Sequence, residues 1–130
     1  MGVAVSTGTV GLAVGSINID VITGNNRPLA VGSVVGISQN TLTTVATIPA
    51  NGVRYITKII CSGEENGLWQ VFLDNVLTIT KRTTDRQVDF DFDGVPLKQL
   101  ASEVLDVKVT HHGPDTTSNF SCTVLGYATP

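Results

Sequence analysis

The sequence predicts an all-β protein, an antiparallel two-sheet sandwich with an extended N-terminal arm. Three observations predict it. Val, Ile and Thr number 18, 9 and 17, and β-branched side chains lose rotamer freedom in helices but pack well on a pleated surface. Thirteen Gly and five Pro break the chain at short intervals, which limits most elements to strand length. Charge is divided unevenly: of 8 basic and 11 acidic side chains, only Asp20 and Arg27 fall within residues 1–52.

Residues 1–40 read as the arm. Leu12-Ala13-Val14-Gly15-Ser16 recurs as Leu29-Ala30-Val31-Gly32-Ser33, which suggests two similar extended passes. Ile17, Ile19 and Val21 alternate with Asn18 and Asp20, the pattern of a half-buried strand. Thr23-Gly24-Asn25-Asn26-Arg27-Pro28 is a dense turn signal. A segment this poor in charge, yet too rich in Gly, Ser, Thr and Asn for an ordinary core, is expected to lie against other protein surface. Extended backbone meets its hydrogen-bonding needs by adding to the edge of another sheet.

Residues 41–130 read as the sandwich domain. Thr41–Ile48 is the first strand, ended by Pro49-Ala50-Asn51-Gly52, and Val53–Ser62 is the second. Asn66-Gly67 then predicts a hairpin into Leu68–Leu73, and Asp74-Asn75 leads to Val76–Arg82. These last three strands are expected to form a meander. Gln87–Asp93 alternates strictly, with Val88, Phe90 and Phe92 on one face and Asp89, Asp91 and Asp93 on the other. Pro96–Ser102 is compatible with a single helical turn. Glu103–His112 places Leu105, Val107, Val109 and His111 together, and Ser118–Tyr127 does the same for Phe120, Cys122 and Val124. Seven or eight short strands with turns at about ten-residue spacing suit a jelly-roll-like sandwich.

The chemistry-bearing residues have structural explanations. Asp89-Phe90-Asp91-Phe92-Asp93-Gly94 matches the opening of a calcium loop, but position twelve is Leu100 rather than the required Glu. Alternation explains the run without metal, although three carboxylates on one ladder would hold a weak cation where subunits meet. His111 and His112 point to opposite faces of a strand, so one ion cannot easily bridge them. Trp69 shares a phase with Val71 and Leu73 and reads as core or interface, with sugar stacking at Trp69 or Tyr127 as the alternative. Cys61 and Cys122 are expected to be reduced structural thiols. Lys81, Arg82 and Arg86 form the only basic cluster, too small for a phosphate-binding stripe. A net charge of −3 and the absence of any 20-residue apolar run argue against nucleic acid and membrane partners. No nucleophile elbow, phosphate loop or dinucleotide fingerprint is present. The expectation is therefore no enzyme, with no catalytic, cofactor or metal residues.

A resemblance adds to this reading. The charge-poor arm precedes Ile48-Pro49-Ala50-Asn51-Gly52, then Ser62-Gly63-Glu64-Glu65-Asn66-Gly67-Leu68-Trp69-Gln70-Val71. The chain closes with Val107-Lys108-Val109-Thr110-His111-His112 and Phe120-Ser121-Cys122-Thr123-Val124-Leu125-Gly126-Tyr127. In this it resembles small virion proteins of tailed bacteriophages, such as capsid decoration (cement) proteins and spike or collar subunits. That resemblance implies a jelly-roll-like domain in trimers or other symmetric copies. It further implies a place in the virion after assembly in a host cytoplasm, contact with the major capsid or other virion proteins through residues 1–40, and no catalysis. The alternative function is a carbohydrate- or receptor-binding module of a phage tail or spike.

Overall fold

The computed structural model describes residues 27–83, 86–92 and 94–128. Within them lie nine strands: β1 (Arg27–Ser38), β2 (Leu42–Ile48), β3 (Arg54–Gly63), β4 (Gly67–Leu73), β5 (Val76–Arg82), β6 (Gln87–Asp91), β7 (Leu97–Gln99), β8 (Leu105–His111) and β9 (Thr117–Ala128). All pairings between them are antiparallel. One sheet runs β1-β9-β3-β6, with β7 also pairing with β3, and the other runs β2-β8-β4-β5. The fold is an all-β sandwich of two antiparallel sheets.

The core follows from alternation. Leu105, Val107, Val109 and His111 of β8 are buried, as are Phe120, Cys122 and Val124 of β9, Ile56, Ile59 and Cys61 of β3, and Trp69 and Val71 of β4. Trp69 meets Phe120 edge-on across the two sheets, with ring centroids 6.0 Å apart. That geometry suits the ring quadrupoles. Gly63 makes room for Phe120, whose ring a Cβ there would overlap, and a Cβ on Gly67 would overlap Val109 and crowd Phe120.

Three expectations change. Residues 27–38, assigned to the arm from sequence, form β1, a 12-residue strand of the sandwich. It pairs along β9 from Arg27 opposite Gly126 to Ser38 opposite Thr117. Beyond Arg27 it carries no charge, and its inner face packs on the core through Leu29, Ala30, Val34 and Ile37. The rest of the predicted arm, residues 1–26, lies outside the described residues. Second, β3, β4 and β5 are not a meander. β3 and β4 belong to different sheets, so residues 64–66 cross the sandwich. Gly67 lacks the left-handed backbone of an Asn-Gly turn. It is glycine because Val109 and Phe120 crowd it, and Thr83 Oγ1 accepts its N–H at 2.8 Å. The hairpin is at Asp74-Asn75, whose φ values of 51° and 65° fit a two-residue type I′ turn. Leu73 and Val76 are direct partners across it. Third, Pro96–Ser102 holds β7 rather than a helical turn, pairing Leu97–Gln99 with Ile56–Arg54.

Candidate functional site

Placing the charges on the fold locates the candidate surface. β1 and β2 end their respective sheets and pack against each other. A Cβ at Gly32 would overlap the Val45 carbonyl, so these strands touch backbone to backbone. From Pro28 to Val53, a stretch that contains all of β2 and all but the first residue of β1, there is no charged residue. The opposite edges, β5 and β6, differ. Lys81 Nζ donates to the Asp89 carbonyl at 2.9 Å and lies 5.9 Å from the Phe90 ring centroid. Arg82 sits beside it in β5, and Asp91 is exposed on β6. Natural sheets protect open edges with such charges. One side of this sandwich has that protection, and the other lacks it.

On the outer face of the β1-β9-β3 sheet, β1 and β9 carry no charge beyond Arg27, and charge returns at Lys58 of β3. Val31 lies opposite Thr123, and Thr123 opposite Ile60. Ser33, Ser121 and Ser62 make the next row, with the Ser62 and Ser121 hydroxyls 3.1 Å apart. Val31 and Val35 are 71% and 78% exposed, as are Val95 at 81% and Val76 at 66% elsewhere on the surface. A shallow groove of about 280 Å³ follows the serine row, lined by Ser33, Val35, Ser62, Glu64, Asn119 and Ser121 among others. Its shape is held by Asn119, whose Oδ1 accepts the Gly36 N–H at 2.9 Å, where Gly36 takes a φ of 68° that favours glycine. At the far end of the face, the rings of Tyr55 and Tyr127 stack with centroids 5.3 Å apart. Lys98 Nζ lies 5.8 Å from the Tyr55 ring.

The residues singled out from sequence are distributed through the fold. Phe90 is buried and Phe92 packs against the core. Asp91 is exposed, and Asp89 is half-buried with an Oδ2 3.8 Å from Lys58 Nζ. Asp93 lies outside the described residues. Among the described residues no three His, Cys, Asp or Glu side chains cluster as metal ligands. His111 and His112 do face apart: His112 is exposed and His111 is fully buried. His111 Nδ1 accepts the Gly113 N–H at 3.1 Å, and Nε2 then donates to the Asp115 carbonyl at 2.7 Å. Both ring nitrogens are thus engaged in holding the turn after β8, which leaves none for a ligand.

Trp69 is fully buried, which removes it as a sugar platform. Cys61 and Cys122 are free, buried and directly opposed across β3 and β9. Burial pushes the Cys122 thiol up to about 12. Burial and then the neighbouring Cys122 push Cys61 further up, so neither is an activated nucleophile. The Tyr55–Tyr127 stack was not visible from sequence. Each tyrosine stood in a predicted strand, but their adjacency depends on a pairing between β3 and β9 that brings together residues 72 positions apart.

Compared with known protein families, characterised proteins and solved structures, the chain matches none. Among the described residues the surface presents unpaired strand edges, apolar side chains and a hydroxyl-lined groove.

Proposed function

We propose that this protein is a non-enzymatic structural subunit of a tailed-bacteriophage virion. It decorates or cements the capsid, or docks as a symmetric spike, collar or tail subunit. The observation that carries the reading is the uncharged sandwich side formed by β1 and β2, with Val31, Val35 and Leu42 exposed on it. Such a side is a liability in a free monomer and an asset in an assembly. The finer fold supports the same reading. Sheet orders β1-β9-β3-β6 and β2-β8-β4-β5 correspond to the two four-stranded sheets of a jelly roll, with β7 as an addition. This architecture is common in viral capsid proteins. Symmetric copies, a trimer foremost, would repeat modest contacts until they sum to a durable shell.

The test compares particles with and without the subunit. Loss of heat resistance with normal host adsorption supports cementing. Normal heat resistance with lost adsorption supports the second reading, a carbohydrate- or receptor-binding module. The observation favouring that second reading is the partly exposed Tyr55–Tyr127 stack beside Lys98, since sugars stack on such rings. Tyr127→Ala would then abolish adsorption while leaving the fold intact.

A further inference from the structure

We infer that residues 12–21 of a second copy of this chain add as a strand to the open edge of β1. The inference rests on the assembly reading above and specifies the contact. Among the described residues, β1 pairs only with β9, so its other edge is open to a further strand. That edge has no charge after Arg27, and a 12-residue edge strand uncharged beyond its first residue is the kind that natural sheets cover.

The segment preceding β1 fits the edge in length, charge and pattern. Residues 1–26 contain one charged side chain, Asp20. Fully extended they reach about 90 Å, well past the roughly 40 Å of β1 itself, enough to leave one domain and lie along the next. Leu12-Ala13-Val14-Gly15-Ser16-Ile17 repeats Leu29-Ala30-Val31-Gly32-Ser33-Val34 with a single Ile-for-Val change. In β1 this sequence has two distinct faces. Ala30 and Val34 pack inward and Gly32 lets the β2 backbone approach, while Val31 and Ser33 face out. A strand added beside β1 continues its two faces, with small residues at the positions that match Ala30 and Gly32. Ala13 and Gly15 supply them. Ile17, Ile19 and Val21 continue the period-two pattern.

The test uses full-length protein. Ser16→Cys is labelled with a benzophenone maleimide, the native thiols being buried, and mixed with ¹⁵N-labelled wild type. Photolysis is expected to join the labelled residue to a ¹⁵N peptide spanning 27–38. A crosslink confined to the unlabelled peptide of the same chain, or one to another strand, overturns the inference. In parallel, Ile17→Pro removes one backbone donor from the added strand. It is expected to weaken self-association about ten-fold by sedimentation, with Ser6→Pro as the neutral control and an unchanged thermal melt confirming the fold. Wild-type association by Ile17→Pro, or a monomeric wild type, overturns the inference. Neither result bears on whether particles lacking the subunit are heat-sensitive, so the cement reading is tested separately.

Discussion

Replacing Phe120 with alanine probes the junction of the two sheets. Phe120 is 2% exposed and its ring meets Trp69 at 6.0 Å and His111 at 5.7 Å, both edge-on. Truncating a buried Phe costs about 3–5 kcal/mol, depending on how far the site collapses. Here collapse is difficult. Gly63 and Gly67 border the ring and have no side chain to move into the space, and Trp69 and His111 lose their aromatic contacts, worth about 0.5–1.5 kcal/mol each. The loss is therefore expected near the upper end, about 4–5 kcal/mol. A domain of 130 residues has a total stability of roughly 6–20 kcal/mol, so the variant retains a folded population only if the wild type is well above the minimum. Urea unfolding followed by Trp69 fluorescence measures it. With a slope of about 1–3 kcal/mol per M, the midpoint falls by roughly 2 M. A fall under about 0.5 M with unchanged slope would show that the cavity closes, and that the two glycines do not hold the site open.

Other perturbations separate local roles. Phe90→Ala is expected to cost about 3–5 kcal/mol, whereas Asp91→Asn costs under about 0.5 kcal/mol; a calcium-dependent rise in Tm that Asp91→Asn abolishes would contradict the strand reading of the acidic run. Cys61 and Cys122 are expected to resist Ellman's reagent at pH 8 until the protein unfolds. The Cys122 thiol titrates near 12 when folded, against 9.0 for the free group, so its contribution to stability is complete below about pH 9 and declines as pH rises towards 12. Cys122→Ala should flatten that alkaline limb of the stability curve. His111→Ala leaves the Gly113 N–H and the Asp115 carbonyl without their ring partner, and is expected to cost about 2–4 kcal/mol, with faster hydrogen exchange at Gly113.

Strand positions were legible wherever burial imposes a period of two. β8 and β9 were read almost to the residue because Leu105, Val107 and Val109, and Phe120, Cys122 and Val124, alternate with polar neighbours. Pairing was not legible, because alternation identifies the face a residue takes and not the strand beside it. Asn66-Gly67 misled for that reason: the same dipeptide that makes a tight turn also makes close packing, and only the proximity of Val109 and Phe120 distinguishes the two. β1 was misplaced because its uncharged sequence suits an edge of the sandwich as well as an arm. The candidate surface was half-legible. Its lack of charge was plain from the sequence. That β1 and β2 bring this property to one side, while Lys81, Arg82 and Asp91 guard the other, follows only from the strand order.

The strand order also governs how the chain is made. β1 pairs with β9, and β9 lies between β1 and β3 in the middle of its sheet. On a ribosome, residues 27–48 emerge early and wait for residues 117–128 before β1 can find its partner. During that interval β1 stands unpaired, with Arg27 the one charge among residues 27–48 to keep nascent chains apart. Closure of distant strands is slow, so yield is expected to depend on expression temperature and on holdase chaperones more than on final stability. A circular permutant that joins β9 directly to β1 would shorten that wait and isolate its effect.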